Sequence, residues 1–239
     1  MSTRRAHPLV RSLASLGFAA SLALTGGCDE AEQDGDDHGH EDEGHDDHGH
    51  DDHDHNHETE VFTTVRLTFT PKDGGDRIVA SFTDPDGDGG VSGSSDPVAL
   101  ALGVTYDLEL EFFNELEEPI EDVTLEVQEE AEEHFAFIRG DTVQGPATGD
   151  NPDALMEHAY ADTEEDYGPN NVGENLPVGL LNTVTAQQAG AGTFSVMLRH
   201  LPDLNGSPQK TADLPDLMAR GEALPGEVDV DVEFQLTVQ

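Results

Sequence analysis

Alternation of apolar and polar residues is the sequence feature that most constrains the fold of this chain. It is clearest at the C-terminal end, where every second residue from Val228 to Val238 is apolar and is predicted to face inward. The intervening residues, from Asp229 to Thr237, are predicted to face the other way. A side-chain period of two with one buried face is typical of an antiparallel sheet that has one solvated face.

The same alternation recurs in shorter stretches separated by Asp-, Gly- and Pro-rich turns. These stretches are 65–69, 78–82, 104–112, 123–127 and 194–198. No regular run of amphipathic helices alternates with them, which argues against a parallel α/β sheet. We therefore predict that residues 61–239 form an all-β domain, an antiparallel β-sandwich of the immunoglobulin-like type. Residues 140–177, rich in Gly, Pro, Asn and Asp, are predicted to be a long irregular insertion with a short helix near 153–162.

The N-terminus has the three parts of an export signal. Arg4 and Arg5 begin a basic segment, residues 12–24 are apolar but too short to span a bilayer, and small residues precede Cys28. The segment Leu24-Thr25-Gly26-Gly27-Cys28 resembles the lipobox of bacterial lipoproteins, with threonine where leucine is usual. The resemblance implies a signal peptide over 1–27, a lipid on Cys28, and a place in the cell envelope, with the outer membrane favoured.

Cys28 is the only cysteine in the chain, so no internal disulfide is expected. Lipidation accounts for a single cysteine in an exported protein, because an exposed free thiol is otherwise unusual there. The alternative is an ordinary signal peptide followed by an incidental cysteine. The sequence therefore predicts attachment to the membrane through a lipid.

Residues 28–60 form a His/Asp-rich tether, predicted to be disordered because it holds almost no apolar residue. Beyond Cys28 it contains 16 acidic residues and 8 histidines. Neutral imidazole is a good ligand for Zn²⁺ and Cu²⁺, and neighbouring carboxylates add oxygen ligands. We predict that the tether binds Zn or Cu through its histidines; the alternative is a solvated acidic spacer. The histidines are His38, His40, His45, His48, His50, His53, His55 and His57.

Charge and motifs exclude several functions. The formal net charge is −42, which repels nucleic acid, so no nucleic-acid partner is expected. The sequence contains no nucleophile elbow, phosphate-binding loop, H-E-x-x-H or dinucleotide fingerprint. We predict a protein that is not an enzyme and uses no organic cofactor.

A second candidate metal site lies in the run from Glu126 to His134. If this segment is helical, Glu126, Glu130 and His134 lie on one face. His200 is in phase with the apolar residues of the stretch before it, so it could complete a site with His134. The alternatives are an acidic solvated turn and a histidine that caps a strand.

A third candidate is a calcium site formed by Asp84, Asp86 and Asp88. Aspartates at positions 1, 3 and 5 and glycine at position 6 match the start of an EF-hand loop. The twelfth position is Ser95, where the pattern needs glutamate. The options are a looser Ca²⁺ site and a plain Asp/Gly turn.

Five stretches of the domain resemble a group of small bacterial lipoproteins. They are TTVRLTFTP, FTDPDGDGG, YDLELEFFNE, EDVTLEVQEEAEEHFAF and GEVDVDVEFQL. These relatives are often catalogued as "type 1 periplasmic binding fold superfamily" proteins and have no established activity. That label implies an α/β architecture, whereas the alternation here predicts β-strands. The resemblance also implies a TonB-dependent transporter as a partner.

The expected function is that of a lipid-anchored, non-enzymatic protein that captures or buffers Zn or Cu at the cell envelope for a transporter. A structural or adhesive surface domain on an acidic stalk is the alternative. An extracellular hydrolase would need a catalytic cluster, and the motifs supply none.

Overall fold

The fold is given by a computed structural model, which describes residues 61–87, 92–171 and 173–239. Within these ranges the chain is mainly β, as the alternation predicts. The strands are β1 (Thr64–Pro71), β2 (Ile78–Thr83), β3 (Ser94–Ser95), β4 (Val98–Leu100), β5 (Thr105–Asn114), β6 (Glu121–Asp122), β7 (His134–Arg139), β8 (Val143–Gln144), β9 (Met156–Tyr160), β10 (Leu181–Ala186), β11 (Gly190–His200) and β12 (Glu227–Val238). Two short helices are α1 (Thr124–Glu129) and α2 (Leu214–Ala219). The predicted signal peptide, Cys28 and the tether histidines lie outside the described residues.

The strands form two sheets. The larger has the order β3-β2-β1-β5-β10-β9-β8, with β6 paired to β5, and the smaller has the order β4-β12-β11-β7. Most neighbours are antiparallel, but β8 pairs with β9 and β4 pairs with β12 in parallel. Both sheets are therefore mixed, because each has one short strand that reaches its edge through a connection other than a hairpin.

Both sheets contribute inward-facing side chains to one hydrophobic core. Leu67 and Leu110 enter it from the larger sheet, and Val196 and Phe234 enter it from the smaller. All four are fully buried. The alternating residues of the sequence thus bury their apolar members between the sheets, as period two requires.

A second, smaller core lies on the opposite face of β7 and β11. It contains Phe135, Phe137 and Met197, covered by Leu201 and by Leu214 of α2. The outer face of these two strands is therefore not solvated. Residues 134–138 are consequently all buried, which makes β7 a strand that is apolar on both faces.

Residues 123–127 are not a strand, contrary to the alternation. Residues Thr124–Glu129 form α1. The Thr124 hydroxyl donates to the carbonyl of Phe112 at 3.2 Å and accepts from its amide at 2.8 Å, so the helix is anchored to β5. Val123 and Val127 are still buried, since in a helix they lie one turn apart on the same face.

Residues 140–177 are more regular than predicted. They contain β8 and β9, and β9 pairs with β10 in the larger sheet. The expected helix near 153–162 is wrong, because Met156–Tyr160 is a strand with alternating burial at its start. The hydrogen bonds to the neighbouring strand stabilise the strand conformation here, and the local content of Gly, Pro and Asn gives no information about that neighbour.

The pairing of β11 with β12 contains one irregularity, between Leu198 and Arg199. Leu198 lies opposite Val230 and Arg199 lies opposite Val228, so Asp229 is an extra residue on β12. The extra residue ends the predicted alternation. Val228, predicted to face inward, is 47% exposed, and Asp229 is half-buried instead of solvated. A β-bulge of this kind changes the direction of side chains next to it.

Candidate metal centre

Two histidines face each other at the end of the smaller sheet. His134 begins β7 and His200 ends β11, and the antiparallel register places them directly opposite. Their rings are stacked, with centroids 4.8 Å apart and an interplanar angle of 7°. His134 is in phase with Ala136 and Ile138, which belong to the core between the sheets. The pair therefore lies at the end of that core.

Glu130 brings a carboxylate to the histidine pair. It follows α1 directly and its amide donates to the Glu126 carbonyl at 2.9 Å, which closes the last turn of the helix. A Glu130 oxygen, a His134 nitrogen and a His200 nitrogen all lie within 4.8 Å of one another. Three of the four predicted residues are thus brought together, although through a helix–turn–strand and not one continuous helix.

The hydrogen bonding of His134 indicates which of its ring nitrogens carries the proton. Its Nδ1 lies 3.2 Å from the Glu130 carbonyl, which only accepts, so Nδ1 is assigned the proton and Nε2 carries the lone pair. Burial, together with a smaller contribution from the nearby His200, lowers the pKa of His134 to about 4. His134 is therefore neutral at pH 7, the form that binds metals. A backbone carbonyl behind a histidine ligand is a common way of orienting it.

Two further carboxylates act on His200. Glu133 Oε2 lies 3.5 Å from His200 Nε2, and this interaction lowers the pKa of Glu133 more than burial raises it. Burial and the nearby Glu130 raise the pKa of Glu126, on α1, above its ordinary value, and His200 opposes this shift only in part. Glu126 is thus in electrostatic reach of the site, but it does not belong to the group within 4.8 Å.

Asp229 reaches the same region from β12. Burial raises its pKa to about 6, while His200, the largest opposing influence, lowers it. One of its oxygens, Oδ2, is buried and has no hydrogen-bond partner among the described residues. An ionised carboxylate in this position lacks the compensation that buried charges usually have.

A buried lysine stabilises the turn that carries Glu130 and Glu133. Lys210 Nζ donates to the Ala131 carbonyl at 2.7 Å and lies 2.8 Å from Glu164 Oε1. The Leu201 amide also donates to the Glu133 carbonyl at 2.6 Å. Lys210 and Leu201 contact the turn and Glu164 contacts Lys210; all three are distant from the turn in sequence, so its position depends on tertiary structure.

The three clustered residues suit a divalent transition metal. Two imidazoles and a carboxylate are ligands of Zn²⁺ and of other borderline ions. Tetrahedral Zn²⁺ at about 2.0–2.1 Å from each ligand separates the ligand atoms by roughly 3.4 Å. Because the cluster extends to 4.8 Å, binding requires a contraction of about 1 Å or more and a tilt of the rings away from their parallel stack.

The predicted calcium segment is engaged in local hydrogen bonds. The Ser92 hydroxyl lies 2.9 Å from Asp84 Oδ1 and 2.7 Å from Asp86 Oδ1. Asp84 is buried, and its amide donates to the Thr63 carbonyl. Asp88 lies outside the described residues. Calcium binding stays a prediction.

The third histidine of the domain lies apart from the site. His158 on β9 is buried, and its Nε2 lies 2.8 Å from Asn182 Oδ1. The Asn182 amide nitrogen donates to the Gly179 carbonyl, which orients Oδ1 as the acceptor. His158 is thus a core histidine whose Nε2 atom has a hydrogen-bond partner, and it provides a comparison for His134 and His200.

Three residues of this region were not singled out from the sequence. Glu133 belongs to an acidic run that offers several equivalent choices, and the alternation predicts that Asp229 lies on the solvated face. Lys210 is one of only 10 basic residues, against 52 acidic ones. That scarcity is a usable signal, because a rare cation in so acidic a chain is expected to have a carboxylate partner.

No protein-family model, no curated protein and no solved structure matches this chain. In the described part of the chain, no helix is long and apolar enough to cross a membrane. The fold and the cluster define a mainly β protein with a candidate metal centre.

Proposed function

We propose that this chain is a lipid-anchored, non-enzymatic protein that binds divalent transition metal, Zn²⁺ or Cu²⁺, at the cell envelope. The observation that carries the proposal is the grouping of Glu130, His134 and His200 within 4.8 Å. The domain from residue 61 onward has only three histidines, and two of them are directly opposite each other. Such a pair next to a carboxylate is more specific than an acidic surface.

The proposal assigns different roles to the tether and to the domain. The tether histidines, from His38 to His57, collect several ions with little selectivity, because imidazole binds Zn²⁺, Cu²⁺ and other divalent transition metals alike. The domain binds one ion in a site oriented by neighbouring groups. The lipid on Cys28 holds both at the outer membrane, where a TonB-dependent transporter would receive the metal.

We also propose the immunoglobulin-like sandwich as the finer description of the domain. Its support is the core shared by Leu67 and Leu110 of one sheet and Val196 and Phe234 of the other. The two parallel edge pairings depart from the purely antiparallel arrangement.

Calorimetry with Zn²⁺ on the full chain tests the metal-binding proposal. The unaltered chain is expected to bind several ions, and a variant with all eight tether histidines changed to asparagine is expected to bind one. Adding His134→Gln to that variant should abolish the remaining binding, because it removes a ligand from the clustered site. Acidification below about pH 6 should release the tether-bound metal as ordinary imidazoles become protonated.

His158→Gln is the matched control for His134→Gln. It also removes a buried histidine from a strand, but one that contacts Asn182 and not the clustered carboxylate. It should leave the single ion in place. An unchanged stoichiometry after replacement of the tether histidines contradicts the role of the tether and favours the alternative, an adhesive or structural domain on an acidic stalk.

A further inference from the structure

We propose that Asp229 is the fourth ligand of the metal centre, so that the site encloses a divalent ion of the Zn²⁺ type with two imidazoles and two carboxylates. The inference rests on the proposed function, because it names the ligand set and the kind of site. It concerns a residue outside the group formed by Glu130, His134 and His200.

The first argument is the position of Asp229 in the sheet. β12 neighbours β11, and the register pairs Leu198 with Val230, then Arg199 with Val228. Asp229 is the extra residue between them, next to the end of β11 that carries His200. Bulges are over-represented at binding and active sites, where they re-aim a side chain. Without the bulge, the alternation of β12 would direct Asp229 to the face away from the core.

The second argument is the state of the Asp229 carboxylate. Its Oδ2 atom is buried, and no group in the described part of the chain hydrogen-bonds to it. Among the neighbouring charged groups, His200 lowers the pKa of Asp229 most, ahead of the adjacent Arg199. A buried carboxylate oxygen beside a histidine pair is explained if a cation lies between them, since cations are the usual partners of buried carboxylates.

The third argument is the charge and coordination number that result. Glu130 and Asp229 together carry two negative charges, which neutralise a divalent ion in a partly buried place. Three protein ligands leave an open position, as in catalytic zinc sites and in the two-histidine, one-carboxylate iron sites. Four protein ligands close the site, as in sites that bind the ion and do not present it to a substrate. A fourth ligand therefore agrees with binding and not with hydrolysis.

Because Asp229 lies outside the 4.8 Å group, the contraction around the ion must include a rotation of its side chain. The same contraction tilts the two stacked rings toward the ion.

Cobalt(II) is the probe, because its visible absorption is intense when four-coordinate and weak when six-coordinate. The full chain is used with its eight tether histidines changed to asparagine and with Cys28→Ser, since a free thiol is itself a metal ligand. This background is expected to bind one Co²⁺ with the intense spectrum. Adding Asp229→Asn should weaken Co²⁺ and Zn²⁺ binding by at least about tenfold and should replace that spectrum with a weaker one.

Glu233→Gln is the matched control, because it removes the same charge from an exposed position on the same strand. It should change neither affinity nor spectrum. Asp229→His, which restores a ligand atom, should recover the intense spectrum if the Asn variant has lost it through lost coordination. If the background binds Co²⁺ and Asp229→Asn changes neither affinity nor spectrum, Asp229 is not a ligand, but the proposed function stands. Absence of Co²⁺ and Zn²⁺ binding by the background itself overturns both.

Discussion

Replacement of Lys210 by methionine is expected to lower the free energy of unfolding by about 3–5 kcal/mol, the cost of leaving a buried charge without its partner. The side chains of Lys210 and Glu164 are 1% and 3% exposed, and their charged atoms are 2.8 Å apart. Burial lowers the pKa of Lys210, while the hydrogen bond to Glu164 raises it. Lys210 also donates to the Ala131 carbonyl and lies 5.3 Å from the centre of the Phe135 ring. The methionine variant keeps the volume but leaves the Glu164 carboxylate and the Ala131 carbonyl without this donor.

Urea unfolding followed by circular dichroism measures this loss. The double variant Lys210→Met, Glu164→Leu should be more stable than Lys210→Met alone, since it also removes the buried negative charge. Arg220→Ala is the control, because Arg220 and Glu222 form an ion pair whose side chains are both about half exposed; it should leave the midpoint unchanged. Equal midpoints for Lys210→Met and the unaltered chain contradict the assigned role of this pair.

Replacement of Asp229 by asparagine is expected to stabilise the metal-free protein at pH 7 while weakening its metal binding. The pKa of Asp229 rises from 3.8 to about 6 on folding, mainly because of burial. A shift of this size corresponds to at most about 3 kcal/mol, and partial exposure reduces the expected gain to about 1–2 kcal/mol. Opposite effects on stability and on metal affinity are typical of a residue kept for binding.

The pH dependence of this effect has a definite sign. Because the pKa of Asp229 is higher in the folded protein, its contribution to stability is complete below about pH 4 and is lost as the pH rises through about 6. Asparagine carries no charge, so the difference in unfolding free energy between the variant and the unaltered chain should grow over this interval. Unfolding in EDTA at several pH values measures it, with Glu233→Gln as control. A difference that does not vary with pH argues against an unusual environment for Asp229.

Addition of Zn²⁺ should reverse the order of stability of the unaltered chain and the Asp229→Asn variant. A ligand that binds only the folded state stabilises it by an amount that grows with its concentration relative to Kd. The unaltered chain should therefore gain more stability than Asp229→Asn at the same Zn²⁺ concentration. The tether-silenced background, with its eight histidines changed to asparagine, restricts this comparison to the clustered site.

The sequence by itself predicted the mainly β class and, for the right reason, one of the three clustered residues, His200. Burial on alternate positions is a local property, so the phase of His200 with Leu198 already indicated that it points inward. His134 and Glu130 were predicted through a continuous helix from Glu126. The helix in fact ends at Glu129, and a turn and a strand begin after it. The residues meet because the end of α1 and the start of β7 are close, not because of helical periodicity.

The tertiary structure alone decided that His134 lies opposite His200, since strand neighbours and register are set by packing between distant segments. It also decided the place of Asp229, because one extra residue in the pairing with β11 cancels the alternation that the sequence shows. The partner of Lys210 was likewise beyond local reading, as Glu164 lies on a different turn of the chain. Sequence patterns determine which face of a strand is apolar; only the packing of the whole chain determines which polar groups at the ends of the strands meet.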